Sequence, residues 1–276
     1  MRPLLKGRLW GVNMKKRKKT KMNKKQVLLT SVTTLLIVAV VGTIIFFGVR
    51  TVKINEYKEN RARLPQRFTI TAHTGCMGTE DNSIEAMRAG VANGADIIEF
   101  DVHFTEDGVP VLAHDEPKGD ELGLEVAFEF LAKNKSIRAN VDMKSTANMA
   151  EVQKLADKYG VFNQIFFTGI NIEDVEAVKK GCPRIPYYLN VDVDKSKNTD
   201  SEYIKSLVNT VKEAGAVGIN FNYKGLSSDL VSHFRASNLL VSIWTVDSEY
   251  DMHKVLTVSV DNITTRNPDK LTEIIG

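Results

Sequence analysis

The sequence predicts an α/β protein, a TIM (β/α)8 barrel preceded by one N-terminal transmembrane helix. Three observations carry that expectation. An uncharged apolar run fills positions 27–49, and beyond position 68 eight short apolar runs alternate with eight helical patterns over about 210 residues. No G-x-G-x-x-G follows the first strand-like run. Strict alternation calls for a parallel sheet with crossover helices, and eight repeats suit closure into a barrel. An open doubly wound sheet is the alternative, and the missing Gly-rich turn weakens it.

In chain order, residues 1–26 carry eleven Lys or Arg and no acid. The formal charge of +3 therefore belongs to this tail, and the rest of the chain is net acidic by about eight charges. An acidic body gives no reason to expect nucleic-acid binding, whereas a basic tail suits anionic lipid. The run VLLTSVTTLLIVAVVGTIIFFGV (27–49) follows, 23 residues without a charge. At about 1.5 Å per residue it spans a hydrocarbon core of roughly 30 Å. A buried core helix fits such a run poorly. A cleaved signal peptide is disfavoured by its length and by the lack of an A-x-A-like site after it. Lys15, Lys16, Arg17, Lys18 and Lys19, with Lys21, Lys24 and Lys25, are expected to hold the N-terminus in the cytoplasm. That gives a single-pass protein of the cell membrane with the domain from residue 68 onward extracellular. A start at Met14 or Met22 instead of Met1 leaves this topology unchanged. Residues 50–67, mixed in charge with one proline, Pro65, read as a stalk.

From 68 to 276 the strand-like runs are FTITAH (68–73), DIIEFDV (96–102), IRANVDM (137–143), QIFFTG (164–169), RIPYYLNV (184–191), AVGINFN (216–222), LLVSIWTV (239–246) and VDNITT (260–265). Helical patterns lie at 83–93, 122–134, 149–159, 172–180, 201–214, 227–237 and 249–256, with a last one from Pro268. Two cysteines, Cys76 and Cys182, are too few for a disulfide framework, and no bond between them is expected.

Reactive groups in such a barrel gather at the C-terminal ends of the strands. The first run ends at His73. The second carries Glu99 and Asp101, which a two-residue period puts on one face together with His103. The third ends in Asp142 and Lys144, again two apart. Asp107-Gly108 is a hairpin signal, so VPVLAHD (109–115) returns His114 and Asp115 toward the rim. Acids inside apolar strands must be paired, protonated or metal-bound, because an unpaired buried carboxylate is expensive. Three hard oxygen donors, Glu99, Asp101 and Asp142, suit one divalent cation, Mg2+ or Ca2+. Salt bridges to lysines such as Lys144 are the alternative. His73 and His114 form the candidate acid–base pair, since proton transfer in both directions needs one of each. His103 is expected to line the pocket and Cys76 to be structural. His233 and His253 are expected at the surface, Tyr187 and Tyr188 in the core, and Asn220 and Asn222 near substrate.

The pieces AHTG (72–75), DNS (81–83), GADIIEFDVHFTEDG (94–108), VPVLAHD (109–115), VDMK (141–144), IWTVD (243–247) and TTRNPD (264–269) have a specific order and spacing. Together they resemble the glycerophosphodiester phosphodiesterase family across about residues 68–276. The resemblance implies a TIM barrel that splits a phosphodiester beside a divalent metal. It implies Glu99, Asp101 and Asp142 as metal ligands and His73 and His114 as acid and base. Lys144 becomes a phosphate-facing cation and Trp244 a pocket-lining residue.

Departures from the pattern matter as much. Thr74 stands where the family has an arginine that clamps phosphate, and a hydroxyl does not replace a planar bidentate donor. Thr74 stays a candidate phosphate contact, with Lys144 or Arg266 left to carry more of the charge. The family's Pro-Glu-Asn appears as Glu80-Asp81-Asn82, its third acidic ligand, often glutamate, is Asp142, and the segment from His114 to Asp142 is short. The Asp-x-Lys motif and the missing arginine give a thinner similarity to the sphingomyelinase D group, which cleaves choline-type lipids.

The expected activity is metal-dependent hydrolysis of a glycerophosphodiester, drawn from lipid or from a cell-wall polymer. Sphingomyelinase D-like phospholipid cleavage and a non-catalytic phosphodiester-binding descendant are the alternatives. The expected partners are that small-molecule or lipid-derived substrate and, through residues 27–49, the membrane. No nucleic acid and no obligate protein partner is evident.

Overall fold

The computed structural model of the chain describes residues 23–276. The basic run at 15–19, Lys21 and the possible starts Met14 and Met22 lie outside those residues. The chain divides into two units, Met1–Thr51 and Val52–Gly276.

The described part of the first unit is the opening of a long helix, α1 (Lys24–Glu59). Its apolar window has a mean hydropathy of 2.6, long and apolar enough to cross a membrane. Leu28, Leu29, Leu35, Leu36 and Ile44 all stand exposed. Ser31, Thr33, Thr43 and Thr51 each turn a hydroxyl back onto the carbonyl four residues earlier, at 2.9 Å. That back-bonding satisfies the polar oxygens without water, as an apolar surrounding requires.

The second unit holds β1 (Thr69–Ala72), α2 (Ile84–Ala92), β2 (Ile97–Phe104), β3 (Pro110–Leu112), α3 (Leu124–Lys133) and β4 (Arg138–Met143). It continues with α4 (Met149–Tyr159), β5 (Ile165–Ile170), α5 (Val175–Gly181), β6 (Tyr187–Asn190), α6 (Ser201–Ala214) and β7 (Gly218–Asn222). Last come α7 (Ser228–Ala236), β8 (Leu240–Trp244), α8 (Glu249–Val255), β9 (Asn262–Thr265) and α9 (Pro268–Ile275). The strand order is β1-β9-β8-β7-β6-β5-β4-β2-β3, and β1 also pairs with β2. Eight parallel strands thereby close into the expected TIM barrel. The ninth, β3, is the return arm of the predicted hairpin, antiparallel to β2 with Val102 opposite Leu112. Its turn is closed by the Gly108 amide donating to the Thr105 carbonyl at 2.8 Å.

Period and packing agree along each element. On α3, Leu124, Ala127, Phe128 and Leu131 fall on one stripe and are fully buried. They join Ile98, Phe100 and Val102 of β2 in the main core between strands and helices. The opposite face of β2 starts with Ile97, which clusters with Phe166 and Tyr188. Further along that face come Glu99 and Asp101, and on β5 Phe166 is followed two residues later by Thr168. The barrel interior therefore changes from apolar to polar toward the C-terminal ends of its strands. Cys76 and Cys182 are buried and free, as expected.

The chain before β1 packs on the barrel within this unit. The Tyr57 hydroxyl lies 3.3 Å from that of Tyr250, and Arg61 donates to the carbonyls of Ile274 and Ile275 at 3.0 Å. This covering corrects one expectation. His253 is buried, not at the surface, with Nε2 3.8 Å from Glu249. Burial, with the Lys58 and Arg61 charges, lowers its pKa.

Candidate active site

The parallel register of β2 and β4 sets Asp101 beside Asp142. Glu99 sits one pleat below Asp101, and one oxygen from each of the three carboxylates lies within 4.8 Å of the others. Glu99 and Asp101 are buried and Asp142 is half-buried. The Thr74 amide donates to Glu99 Oε2 at 2.6 Å. Even so, burial first and then the Asp101 and Asp142 charges push the Glu99 carboxyl well above its usual range. Lys144 bridges the other two acids, with Nζ 3.0 Å from Asp101 Oδ1 and 2.5 Å from Asp142 Oδ2. Burial works against its charge, yet those two carboxylates hold its pKa above the ordinary lysine value.

This cluster passes a test for a divalent cation. Three carboxylates face one ammonium, so negative charge is in surplus, and hard oxygens are the donors that Mg2+ or Ca2+ prefer. The bridging lysine shows that Asp101 and Asp142 already converge on a shared positive charge.

Residues not singled out in the sequence brace the acids. Asn82, at φ 57°, accepts the Asp101 amide on Oδ1 at 2.8 Å and donates from Nδ2 to Asp101 Oδ2 at 3.0 Å. Asparagine tolerates this left-handed backbone better than most side chains do, and its place in the DNS motif was the available signal. Thr168 donates its hydroxyl toward Asp142 Oδ1 and toward Asn140 Oδ1, each at 2.7 Å. Gly169 follows at φ 73°, where a Cβ would lie 2.2 Å from the Met143 carbonyl oxygen, so only glycine lets β5 approach β4 here. The Thr-Gly pair ending an apolar strand could have marked this place.

The two histidines differ. His73 continues β1, its amide donating to the Thr265 carbonyl at 2.9 Å. Its Nδ1 lies 2.8 Å from the Thr74 carbonyl and 3.6 Å from Glu99 Oε2. A carbonyl only accepts, so Nδ1 carries the hydrogen and Nε2 is left with its lone pair. Burial lowers the His73 pKa. His114, in contrast, is exposed, with Nδ1 2.9 Å from Asp115 Oδ1. Both line a cavity of about 840 Å³ that also takes in Glu99, Asp101, Asp142, Lys144, Thr74 and Trp244.

His103 is the exception among the candidates. It is not among the residues lining the cavity, and its Nδ1 accepts from the Phe104 amide at 2.9 Å. The pairing of β2 with β4 ends at Val102, and position 103 pairs with Val111 in the hairpin, beyond the acids. Thr74 lines the cavity but is only 3% exposed, and its hydroxyl accepts the Asn82 amide. Asn220 lines the cavity and donates to Asn190 Oδ1 at 3.1 Å, whereas Asn222 accepts the Lys224 amide. Tyr188 packs edge-on against Phe166, and Tyr187 bonds the Ala214 carbonyl.

Comparison with known proteins shows which family and fold the chain shares. The chain matches the profile of the Glycerophosphoryl diester phosphodiesterase family over residues 62–122 and 116–270. A Glycerophosphodiester phosphodiesterase of Bacillus altitudinis is 24% identical over 247 residues, covering 74% of this chain and 97% of the relative. Among solved structures, a glycerophosphoryl diester phosphodiesterase from Silicibacter pomeroyi superposes with a TM-score of 0.65 at 18% identity, over 78% of this chain and 95% of that one. A phosphodiesterase from Oleispira antarctica, solved with the product sn-glycerol-3-phosphate, gives 0.61 at 17% identity, over 77% and 97%.

Proposed function

The chain belongs to the glycerophosphoryl diester phosphodiesterase family and is a phosphoric diester hydrolase, and on that premise we propose how its own residues perform the reaction. Glu99, Asp101 and Asp142 hold one divalent cation, Mg2+ or Ca2+. Bound there, the cation supplies positive charge against the phosphoryl oxygens. His73, whose Nδ1–H is spent on the Thr74 carbonyl, accepts the proton of the attacking hydroxyl at Nε2. His114, its Nδ1 held by Asp115, delivers a proton from Nε2 to the departing alkoxide. Trp244 and the polar wall of the cavity position the alcohol. The attacking hydroxyl belongs to water or to the substrate itself, and the second case passes through a cyclic phosphate.

The observation that carries this reading is the convergence of three carboxylates within 4.8 Å in a cavity that two imidazoles also line. We assign residues 1–26 as a basic cytoplasmic tail, 27–49 as the membrane span, 50–67 as the connection and 68–276 as an extracellular catalytic domain. The uncharged stretch 27–49 of α1 supports the anchor. The substrate is a glycerophosphodiester derived from lipid or from polymer.

The test is hydrolysis by the purified full-length protein of glycerophosphocholine, glycerophosphoethanolamine, a polyglycerolphosphate and an intact phospholipid, each with Mg2+ or Ca2+. Release of glycerol phosphate is expected from the first three. Single alanine variants of His73 and His114 should each lose about 10²–10⁴-fold in kcat with an unchanged Tm. Full activity in both variants would overturn the assigned roles.

A further inference from the structure

We propose that Arg266 is the phosphate-clamping guanidinium of this site, acting from just beyond β9, the neighbour of the β1 strand that leads into Thr74. The inference rests on the hydrolase reading above and adds how the substrate phosphate is gripped.

Charge states the problem. The cavity is lined by six carboxylates, those of Asp81, Glu99, Asp101, Asp142, Glu173 and Asp174. Among the described lining residues just two are lysine or arginine, Lys144 and Arg266. An anionic diester entering such a wall is repelled unless fixed cations meet it. Lys144 is already held between Asp101 and Asp142. Thr74 is equally committed, its amide to Glu99 and its hydroxyl to Asn82. Lys144 keeps one of its three N–H donors, so neither group has two donors to spare for a phosphate.

Arg266 has them, and its backbone is pinned in the right place. Ala72 pairs with Thr265 across β1 and β9, which sets Arg266 beside His73 at the barrel mouth. The Met77 amide donates to the Arg266 carbonyl at 2.9 Å, tying it to the turn that carries Thr74. The Arg266 amide donates to Asp247 Oδ1 at 2.7 Å. The side chain has a looser hold, Nη1 lying 3.4 Å from Asp247 Oδ2, and is 43% exposed. A guanidinium has five N–H donors, and among the described residues only this one contact to Asp247 occupies any of them. An ordinary surface ion pair would explain the Asp247 contact alone. It would not explain a backbone fixed on both sides of a guanidinium that lines the cavity. Asp247 is then a positioning residue, holding the arginine while leaving its fork open to two phosphate oxygens.

The experiment measures, in the full-length protein with Mg2+, the Kd for sn-glycerol 3-phosphate and for inorganic phosphate, and the KM for glycerophosphocholine. Arg266→Ala should weaken all three by about fivefold or more, with an unchanged Tm. Arg266→Lys should recover little, because an ammonium has no fork, and millimolar guanidinium should restore part of the turnover of Arg266→Ala. A smaller change in both Kd values, or full recovery by lysine, overturns the proposal, as does wild-type protein that binds neither anion. Wild-type protein that binds these anions but cleaves no diester sinks the hydrolase reading, and the Kd comparison still decides Arg266.

Discussion

Asn82 grips Asp101 twice, accepting its backbone amide on Oδ1 at 2.8 Å and donating from Nδ2 to its carboxylate at 3.0 Å. One asparagine thereby fixes both the strand and the acid that the strand presents. Its own amide is held by the Thr74 hydroxyl, so the turn after β1 and the acid on β2 form one network. Groups that orient ligands from behind typically contribute 10- to 100-fold in metal affinity. Asn82→Ala is expected to weaken Mg2+ or Ca2+ binding by about that factor while the far-UV circular dichroism is retained. Titration calorimetry with the metal alone reads this directly, and an unchanged affinity would remove Asn82 from the site.

Removing divalent metal should abolish hydrolysis and readdition should restore it. Saturating metal should also raise the Tm, because a ligand that binds only the folded state stabilises it. At a hundredfold excess over Kd the gain is about 2.7 kcal/mol. Glu99→Gln should reduce this metal-dependent rise, since it removes one of the three charges that crowd the cluster. A Tm indifferent to Mg2+, Ca2+ and chelator would contradict the metal assignment.

Asp261 offers a test away from the site. Its Oδ2 accepts the Val241 amide at 2.8 Å, yet burial raises its pKa. A carboxyl whose folded pKa is raised costs stability above that pKa, and the cost fades as pH falls through it toward the unfolded value. Asp261→Asn keeps an acceptor for Val241 and removes the charge. The variant should therefore match or exceed wild type at pH 7, by less than about 1 kcal/mol, or roughly 2–4 °C in Tm. The difference should shrink on acidification into the carboxylate range. Thermal melts across pH would refute this if the variant were less stable at neutral pH.

The full-length chain should sediment with membranes and resist extraction by high salt, because the uncharged helix and not surface charge would hold it there. Deleting residues 27–49 should release the protein to the supernatant with kcat/KM on glycerophosphocholine unchanged, since Val52–Gly276 has its own core. A full-length chain found wholly in the supernatant would remove the anchor.

What could be read from the chain alone was whatever depends on near neighbours. Alternating apolar runs and helical stripes announced the eight-stranded barrel, and a two-residue period placed Glu99 and Asp101 on one face, because side-chain direction in a strand is a local property. Asp107-Gly108 announced the hairpin for the same reason. Tertiary structure alone decided the rest. That Asp142 stands beside Asp101 depends on the register between two strands. That His103 falls outside the cavity depends on where the hairpin takes over its strand, and the burial of His253 involves the segment before β1, whose Lys58 and Arg61 lie near it. Lys144 turned onto Asp101 follows from that same β2–β4 register, and Arg266 brought beside His73 follows from closure, which joins β9 to β1 across almost the whole domain. Register and closure are set by packing summed over every strand and helix at once, and no stretch of sequence carries that sum by itself.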